Sequence, residues 1–363
     1  MTVCPKQAIS MEEDAYGCLY PKIDLFGCVH CGKCVRTCPH SHQSAGNTPA
    51  VAYAAVGKCH QTVQNSASGG VFAALAQSCV RKGGLAAGAV MDCDDSHVDA
   101  YHLLSREESD LRRMQGSKYV QSEAWRSYAG VMEALKAGEP VLFSGTPCQT
   151  AAIKALTGDP ENLVTVDIIC HGVPPLHMLN DYLPILSGYL LGDITDFRFR
   201  DKSCGKRYAA RIVVDRKRKT RRLFMKSSLL SFYAYFLKGT IFRESCYSCP
   251  YTGRGRVSDI TIGDYWGIEQ FHGEAIRSGQ MPDRKDWSCV LVNTEKGDRF
   301  LETHADEISL YATRWEWVAE KNQQLREPVI PEKNRDRVLK LYAESGYSAV
   351  EAAFVKEHGG RLR

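Results

Sequence analysis

The run CVHCGKCVRTCP, residues 28–39, constrains the chain more than any other stretch. Cys28, Cys31, Cys34 and Cys38 stand at spacings of two, two and three residues, and Pro39 follows directly. Spacers this short let three thiolates of one tight loop face three irons, and Gly32 supplies the backbone freedom that loop needs. Zinc sites usually draw on two separated CxxC pairs, so three cysteines at intervals of three followed by Cys-Pro favour a 4Fe-4S cluster.

The pattern is that of bacterial ferredoxins, in which the fourth cysteine of each run ligates the other of two clusters. Cys38 should then not complete the set begun by Cys28, Cys31 and Cys34. That role falls to Cys4, in CPKQAI, which reads as the tail of a preceding run whose first three cysteines are absent from the sequence. The expectation is a ferredoxin domain incomplete at its N-terminus, either truncated or with its start assigned at an internal methionine. The rival is a single-cluster variant that keeps Cys38 as a buried thiol. Cys18, between the two runs, reads as a packed small residue.

Fifteen cysteines in 363 residues would suggest disulfides in a secreted protein, but MTVCPKQAIS has no apolar signal core and no apolar run approaches a membrane span. Reduced thiolates in the cytoplasm are expected. A net charge of +4 is too small to indicate a nucleic-acid partner.

Residues 1–45 are read as the ferredoxin-like 4Fe-4S domain, with SHQSAGNTPA as a linker. Residues 50–175 alternate helix and strand: VFAALAQSCVRKG, LAAGAVM, EAWRSYAGVMEALKAG, PVLFSG, QTAAIKALTG and LVTVDIIC. That alternation predicts parallel pairing with right-handed crossovers, an α/β core. Residues 176–325 open with a helix near 176–191, continue with strand-like DITDFRFRD, YAARIVVD and TRRLFM, which predict an antiparallel portion, and carry a CxxC loop. Residues 326–363 read as a helical, charged surface extension. The predicted class is α+β or α/β: a ferredoxin-like domain followed by an α/β core with an antiparallel part.

A second thiol set emerges from this layout. Cys148 follows the strand PVLFSG and Cys170 ends LVTVDIIC, so in a parallel sheet both reach the carboxyl edge, where α/β proteins bind ligands. Cys246 and Cys249 add a CxxC pair, giving four thiolates of the kind that hold a 4Fe-4S cluster or zinc. Cys59, Cys79, Cys93, Cys204 and Cys289 lack ligand spacing and read as packed residues. NSASGG before a helix is an anion-binding signal; Lys118 and Tyr119 in GSKYVQS offer a phosphate partner and a stacking face, and GDYWG places an acid and two aromatics between glycines. RKRKTRR (216–222) reads as the top of a β-hairpin, with docking of an acidic protein such as a ferredoxin as the functional alternative.

The ferredoxin run followed in order by SASGG, SKYVQS, GTPCQ, CHGVPP, CxxCPY and DITIGDYWG resembles the β-subunit family of coenzyme F420 hydrogenases and dehydrogenases, which includes a ferredoxin-linked reductase of hydroxymethyl chlorophyll. The resemblance runs from Cys4 to about Trp287. It implies an FAD in the α/β core beside a 4Fe-4S cluster on Cys148, Cys170, Cys246 and Cys249. It further implies that Ser68, Gly69 and Gly70 contact the FAD phosphates, that Lys118, Tyr119 and Gln121 line the flavin site, that Thr146 sits beside the ring, and that Asp264, Tyr265 and Trp266 close the pocket. His171, next to Cys170, is a candidate proton donor. The expected activity is an iron-sulfur flavoprotein oxidoreductase that exchanges electrons with ferredoxin or another donor protein and serves a small-molecule or deazaflavin-type acceptor. An electron-transfer subunit of a larger complex and a zinc-stabilised binding protein are the alternatives, and a homo-oligomer is compatible with either.

Overall fold

The computed structural model describes residues 2–41, 46–205, 209–216 and 219–358. The N-terminal module begins with an antiparallel hairpin, β1 (Ile9–Glu13) and β2 (Leu19–Ile23). Asp14 shapes its turn, the Oδ1 atom accepting from the backbone N–H groups of Tyr16 and Cys18 at 2.9 Å each. Cys18 is buried there, as its reading as a packing residue requires. Left-handed backbone at His30 (φ 53°) and Gly32 (φ 69°) then curls the cysteine loop into α1 (Lys33–Thr37). The helix stops because Pro39 forces its predecessor, Cys38, into extended conformation.

The rest of the chain builds one eight-stranded sheet and a smaller three-stranded one. In chain order come β3 (Val51–Gly57), α2 (His60–Asn65), α3 (Val71–Arg81), β4 (Leu85–Asp94), β5 (His97–Ser105), α4 (Glu108–Met114), α5 (Trp125–Lys136), β6 (Val141–Gly145), α6 (Pro147–Thr157) and β7 (Leu163–Ile168). There follow α7 (Leu176–Leu190), β8 (Asp193–Arg198), β9 (Ala209–Arg216), β10 (Lys219–Lys226), α8 (Ser231–Lys238), β11 (Ile260–Asp264) and α9 (Ile268–Arg277). The chain then runs through β12 (Ser288–Val292), α10 (Glu295–His304), β13 (Ile308–Thr313), α11 (Trp315–Lys321) and α12 (Arg335–His358).

The large sheet has the order β13-β3-β12-β11-β7-β6-β4-β5. Four adjacent inner strands, β11, β7, β6 and β4, are parallel, as the strand–helix alternation predicts, and both flanks are antiparallel. The strands β6 and β7 are buried along nearly their whole length because helices cover both faces. Leu142 packs with α3, whereas Val141 and Phe143, on the opposite face, pack with α5 and α6. The strand β5, absent from the sequence reading, folds back on β4 through Asp95 and Ser96, both at positive φ (46° and 60°). The segments 50–175 and 176–325 are interleaved, since β11 joins β7 and β12 joins β3.

The predicted antiparallel portion is the sheet β8-β9-β10. The basic run straddles its hairpin, Arg216 facing Lys219, while Lys217 and Arg218 lie outside the described residues. The linker reading extends onto residues 42–45, which also lie outside them. One expectation is corrected here: α12 is no surface extension. Val338, Leu339, Tyr342, Tyr347, Val350 and Phe354 are buried in one cluster with Tyr182 of α7 and Phe232 of α8. The charged residues that suggested exposure occupy its other positions. No helix among the described residues is long and apolar enough to cross a membrane.

Candidate functional site

All four parallel strands end at the same edge of the sheet, and the turns beyond β6, β7 and β11 carry the second thiol set and its neighbours. Thr146 caps α6, and its hydroxyl lies 3.1 Å from the thiol of Cys148. Cys170 follows β7, Cys246 ends the short 3-10 turn Glu244–Cys246, and Cys249 lies three residues on. The four are mutual neighbours: every pairing among Cys148, Cys170, Cys246 and Cys249 is an electrostatic one that opposes ionisation. Burial is the larger cause, pushing Cys170 well up, Cys246 up to about 11 and Cys249 up as well. Thiols so placed become thiolates only when a positive group joins them, which is the condition a metal centre meets.

A cavity of ~520 Å³ opens from this set toward the start of α3. Cys170 and His171 form one wall, and Ser68, Gly70, Lys118, Tyr119, Thr146, Asp264 and Trp266 also line it, as the sequence reading expects. Gly70 (φ 80°) opens α3 there, whose first turn carries no acid. Lys118 is recessed, and its ammonium donates to the carbonyls of Arg113 and Gln115 at 2.8 Å each. Burial, helped by the charges of Arg198 and Arg113, lowers its pKa to about 7. Tyr119 stacks on Phe236 with centroids 4.1 Å apart, and burial holds its phenol up.

Three expected site residues face elsewhere. Gly69 is pressed onto the sheet, its amide donating to Ser288 Oγ at 2.9 Å, and a side chain there would meet the Ala55 carbonyl. Tyr265 alternates away from Asp264 and Trp266, is buried in the core on the other side, and bonds Thr313 through its hydroxyl at 2.6 Å. Gln121 donates its amide N–H to Pro174 and lines a separate cavity with Glu13 and His177.

The structure adds residues that spacing did not reveal. Arg200, just past β8, reaches into the cavity and holds Asp264 at 2.8 and 3.3 Å. Gln324 lines it too and donates to His171 Nδ1 at 3.0 Å, and the ring donates a hydrogen bond to the Leu237 carbonyl. Burial lowers the His171 pKa, so the ring is neutral. Behind Thr146, Gln149 accepts the Thr146 N–H (2.9 Å) and donates to Ser122, which in turn meets the buried His102. Burial drives the His102 pKa down to about 4, and its Nε2 donates to Ser144 (3.0 Å), so this neutral chain locks the β6–α6 turn.

In the N-terminal module, Cys4 accepts the Ala8 N–H at 3.3 Å, and this bond with further backbone N–H groups lowers its pKa. Gly27, next to Cys28, sits against Ala8, so the Cys4 turn adjoins the cysteine loop. Arg36 closes that loop by donating to the Cys31 carbonyl at 2.9 Å. Cys31 is exposed, and Cys28, Cys34 and Cys38 are partly buried. Of the cysteines read as packed, Cys79 and Cys289 are buried, whereas Cys59 is exposed before α2. Among the described residues, no three His, Cys, Asp or Glu side chains converge as a shell for a single metal ion.

Comparison with known families matches two stretches of the chain. Residues 1–42 match the 4Fe-4S dicluster domain, and residues 138–316 match the model for the C terminus of the beta subunit of coenzyme F420 hydrogenase/dehydrogenase. Over that stretch the chain is related to the F420 hydrogenase/dehydrogenase beta-subunit family. It is thus an iron-sulfur protein related to oxidoreductases. No curated protein matches the sequence. Among solved structures it is similar to a chain of the F420-reducing [NiFe] hydrogenase complex from Methanosarcina barkeri, with 14% identity, 86% of this chain and 92% of that chain covered, and a TM-score of 0.46.

Proposed function

We propose that this protein is an iron-sulfur flavoprotein oxidoreductase, with one cluster held by Cys4, Cys28, Cys31 and Cys34 and a second by Cys148, Cys170, Cys246 and Cys249. The observation that carries this reading is the meeting of four thiols from three separate loops, one of which, Cys170, lines a large cavity. A single zinc ion would draw sulfurs into one shell with bonds of about 2.3 Å. No such shell is formed among the described residues.

The cavity fits a flavin nucleotide in size, in its apolar walls, and in the helix start and cations that would meet phosphates. Bound there, FAD would supply the junction between one-electron and two-electron chemistry. Gly70 and the first amides of α3 would take the phosphates, Lys118 would add charge, and Tyr119 and Trp266 would offer aromatic faces. Asp264 and Arg200 neutralise one another and fix the mouth. His171, with both nitrogens engaged, positions the Cys170 turn rather than donating a proton. Ferredoxin or an equivalent one-electron carrier is the proposed partner, and the acceptor is a small molecule or a deazaflavin. The second reading, an electron-relay subunit of a larger complex, takes its support from the beta-subunit family match.

Anaerobic reconstitution with iron, sulfide and FAD, each quantified per chain, tests the proposal. Two clusters and one flavin are expected. A colourless chain, or one carrying zinc, would overturn it. Bleaching by reduced ferredoxin and recovery with an acceptor, without other subunits, separates enzyme from relay.

Lys118 supplies a second test. With its pKa held near 7, the folded chain binds fewer protons than the unfolded chain between about 7 and the usual lysine value, so its contribution to stability rises with pH across that window. An anion entering the cavity reverses the penalty and draws a proton onto the amine. FAD affinity is therefore expected to weaken as pH climbs above about 7, and Lys118→Met should flatten that dependence in fluorescence titrations of the cluster-free chain. Equal slopes for the two proteins would remove Lys118 from the phosphate site.

A further inference from the structure

We propose that the outer face of the sheet β8-β9-β10 is the docking surface for an acidic one-electron carrier protein, with the β9–β10 hairpin supplying the charge and Phe224 the apolar contact. This surface presupposes the oxidoreductase reading above, in which such a carrier feeds the chain, and adds where the carrier sits.

Charge in this chain is segregated. Residues 193–226 hold thirteen Lys and Arg but four Asp, whereas acids outnumber bases over the rest of a chain with 46 Lys and Arg and 42 Asp and Glu. The sheet then sorts this stretch by face. Phe197 of β8 and Ala210, Ile212 and Val214 of β9 point into the core, so Arg198, Arg211 and Val213 stand on the opposite, outward face. The register carries that face onto β10, since Arg198 pairs with Arg211, Arg211 with Phe224, and Val213 with Arg222. Asp196 and Asp201 serve Arg211 at 2.5 and 3.4 Å, and Asp196 lies 3.9 Å from Arg198. The remaining acids, Asp193 and Asp215, face one another at one end of the sheet. Among the described residues, Arg216, Lys219, Arg221, Arg222 and Lys226 form no ion pair.

The strand β10 is an edge strand, exposed almost throughout, and charge on it guards against pairing with another chain. Guarding an edge does not require Arg198 and Arg211 to stand opposite one another across β8 and β9, an arrangement of like charges that costs stability. Nor does it call for Phe224 on the same face, 37% exposed. An aromatic ring among arginines is the composition of a protein contact. At eight residues per strand the hairpin is roughly 26 Å long, the dimension of a protein interface rather than of a small anion. The face also adjoins the cavity: Arg198 is two residues from Arg200, which lines it, and two residues span at most about 7 Å. An acidic carrier steered onto these cations is therefore seated beside the cavity mouth.

Plant-type 2Fe-2S ferredoxin, an acidic protein, serves as the probe, and its binding to the full chain, reconstituted anaerobically, is followed by biolayer interferometry. Association with the native chain should slow steeply as salt rises from about 20 to about 200 mM. In Lys219→Glu/Arg221→Glu/Arg222→Glu the low-salt association rate should fall roughly tenfold and lose most of its salt dependence. The milder Lys219→Gln/Arg222→Gln should lower it about threefold, which keeps the test decisive if the triple variant folds poorly. Phe224→Ala should raise the dissociation rate about threefold and leave association near native. Unchanged rates in either set, in protein with native circular dichroism, overturn the proposal. Pyrophosphate at matched ionic strength should not compete; saturable competition would make the face a small-anion site and overturn it as well. Iron and FAD counted on the same preparations decide the underlying reading separately: a chain with neither defeats the oxidoreductase, and the ferredoxin rates still decide the surface.

Discussion

Cys170→Ser, reconstituted anaerobically, is expected to keep the N-terminal cluster and lose the core one, so that iron and acid-labile sulfide fall to roughly half of native. Serine cannot replace a thiolate that is one of only four ligands, and the pairing of Cys170 with Cys148, Cys246 and Cys249 leaves no spare thiol in that group. Because Cys170 also lines the cavity, bound flavin should lose its nearest redox neighbour and cease to bleach when a one-electron donor is added. Cys34→Ser should have the mirror effect, removing the N-terminal centre alone. Cys38→Ser should leave the metal content untouched. Iron and sulfide assays check all three, and native iron in Cys170→Ser would refute the ligand assignment.

Arg256→Met is the second large effect. The Arg256–Asp167 pair is almost completely enclosed, with side-chain exposures of 2% and 0%, and its contact is 2.9 Å. Removing one partner of such a pair strands the other charge and costs about 3–5 kcal/mol. Here the loss includes the bonds to Tyr251 and Thr261, and Asp167 Oδ2 has no other hydrogen-bond partner among the described residues. Denaturant titration of the cluster-free chain should show the midpoint falling accordingly, and Asp167→Asn combined with Arg256→Met should recover part of it, because no buried charge then remains. A loss below about 1 kcal/mol would mean that water reaches the pair.

The grouping of the cysteines was legible in the sequence because their spacing is a local signal that survives without any knowledge of topology. Cys148 and Cys170 could be placed together for a related reason: each ends a strand in a segment whose alternation demands parallel pairing. Arg200, Gln324 and Arg256 were not legible. Each reaches the site by crossing between elements distant in the chain, and an arginine after a strand carries no mark of what it will meet. Tyr265 shows the limit in miniature. Asp264 and Trp266 flank it, but extended backbone alternates faces, so the middle member of GDYWG turns from the cavity into the core. The C-terminal helix misled through its charges, whereas the apolar set from Val338 to Phe354, spaced along one side, was the signal that mattered. Gly346, at φ 71°, interrupts that helix and blurs the period.

The two thiol sets also differ in when they can exist. Cys4 and the loop 28–34 leave the ribosome within a short span, so that thiol set can assemble early. The core set waits for Cys249, and β3 waits still longer for its partner β12 at residues 288–292. The core thiol set therefore settles into its folded setting only once the chain has been made past residue 292, and its thiols stay open to oxidation until then.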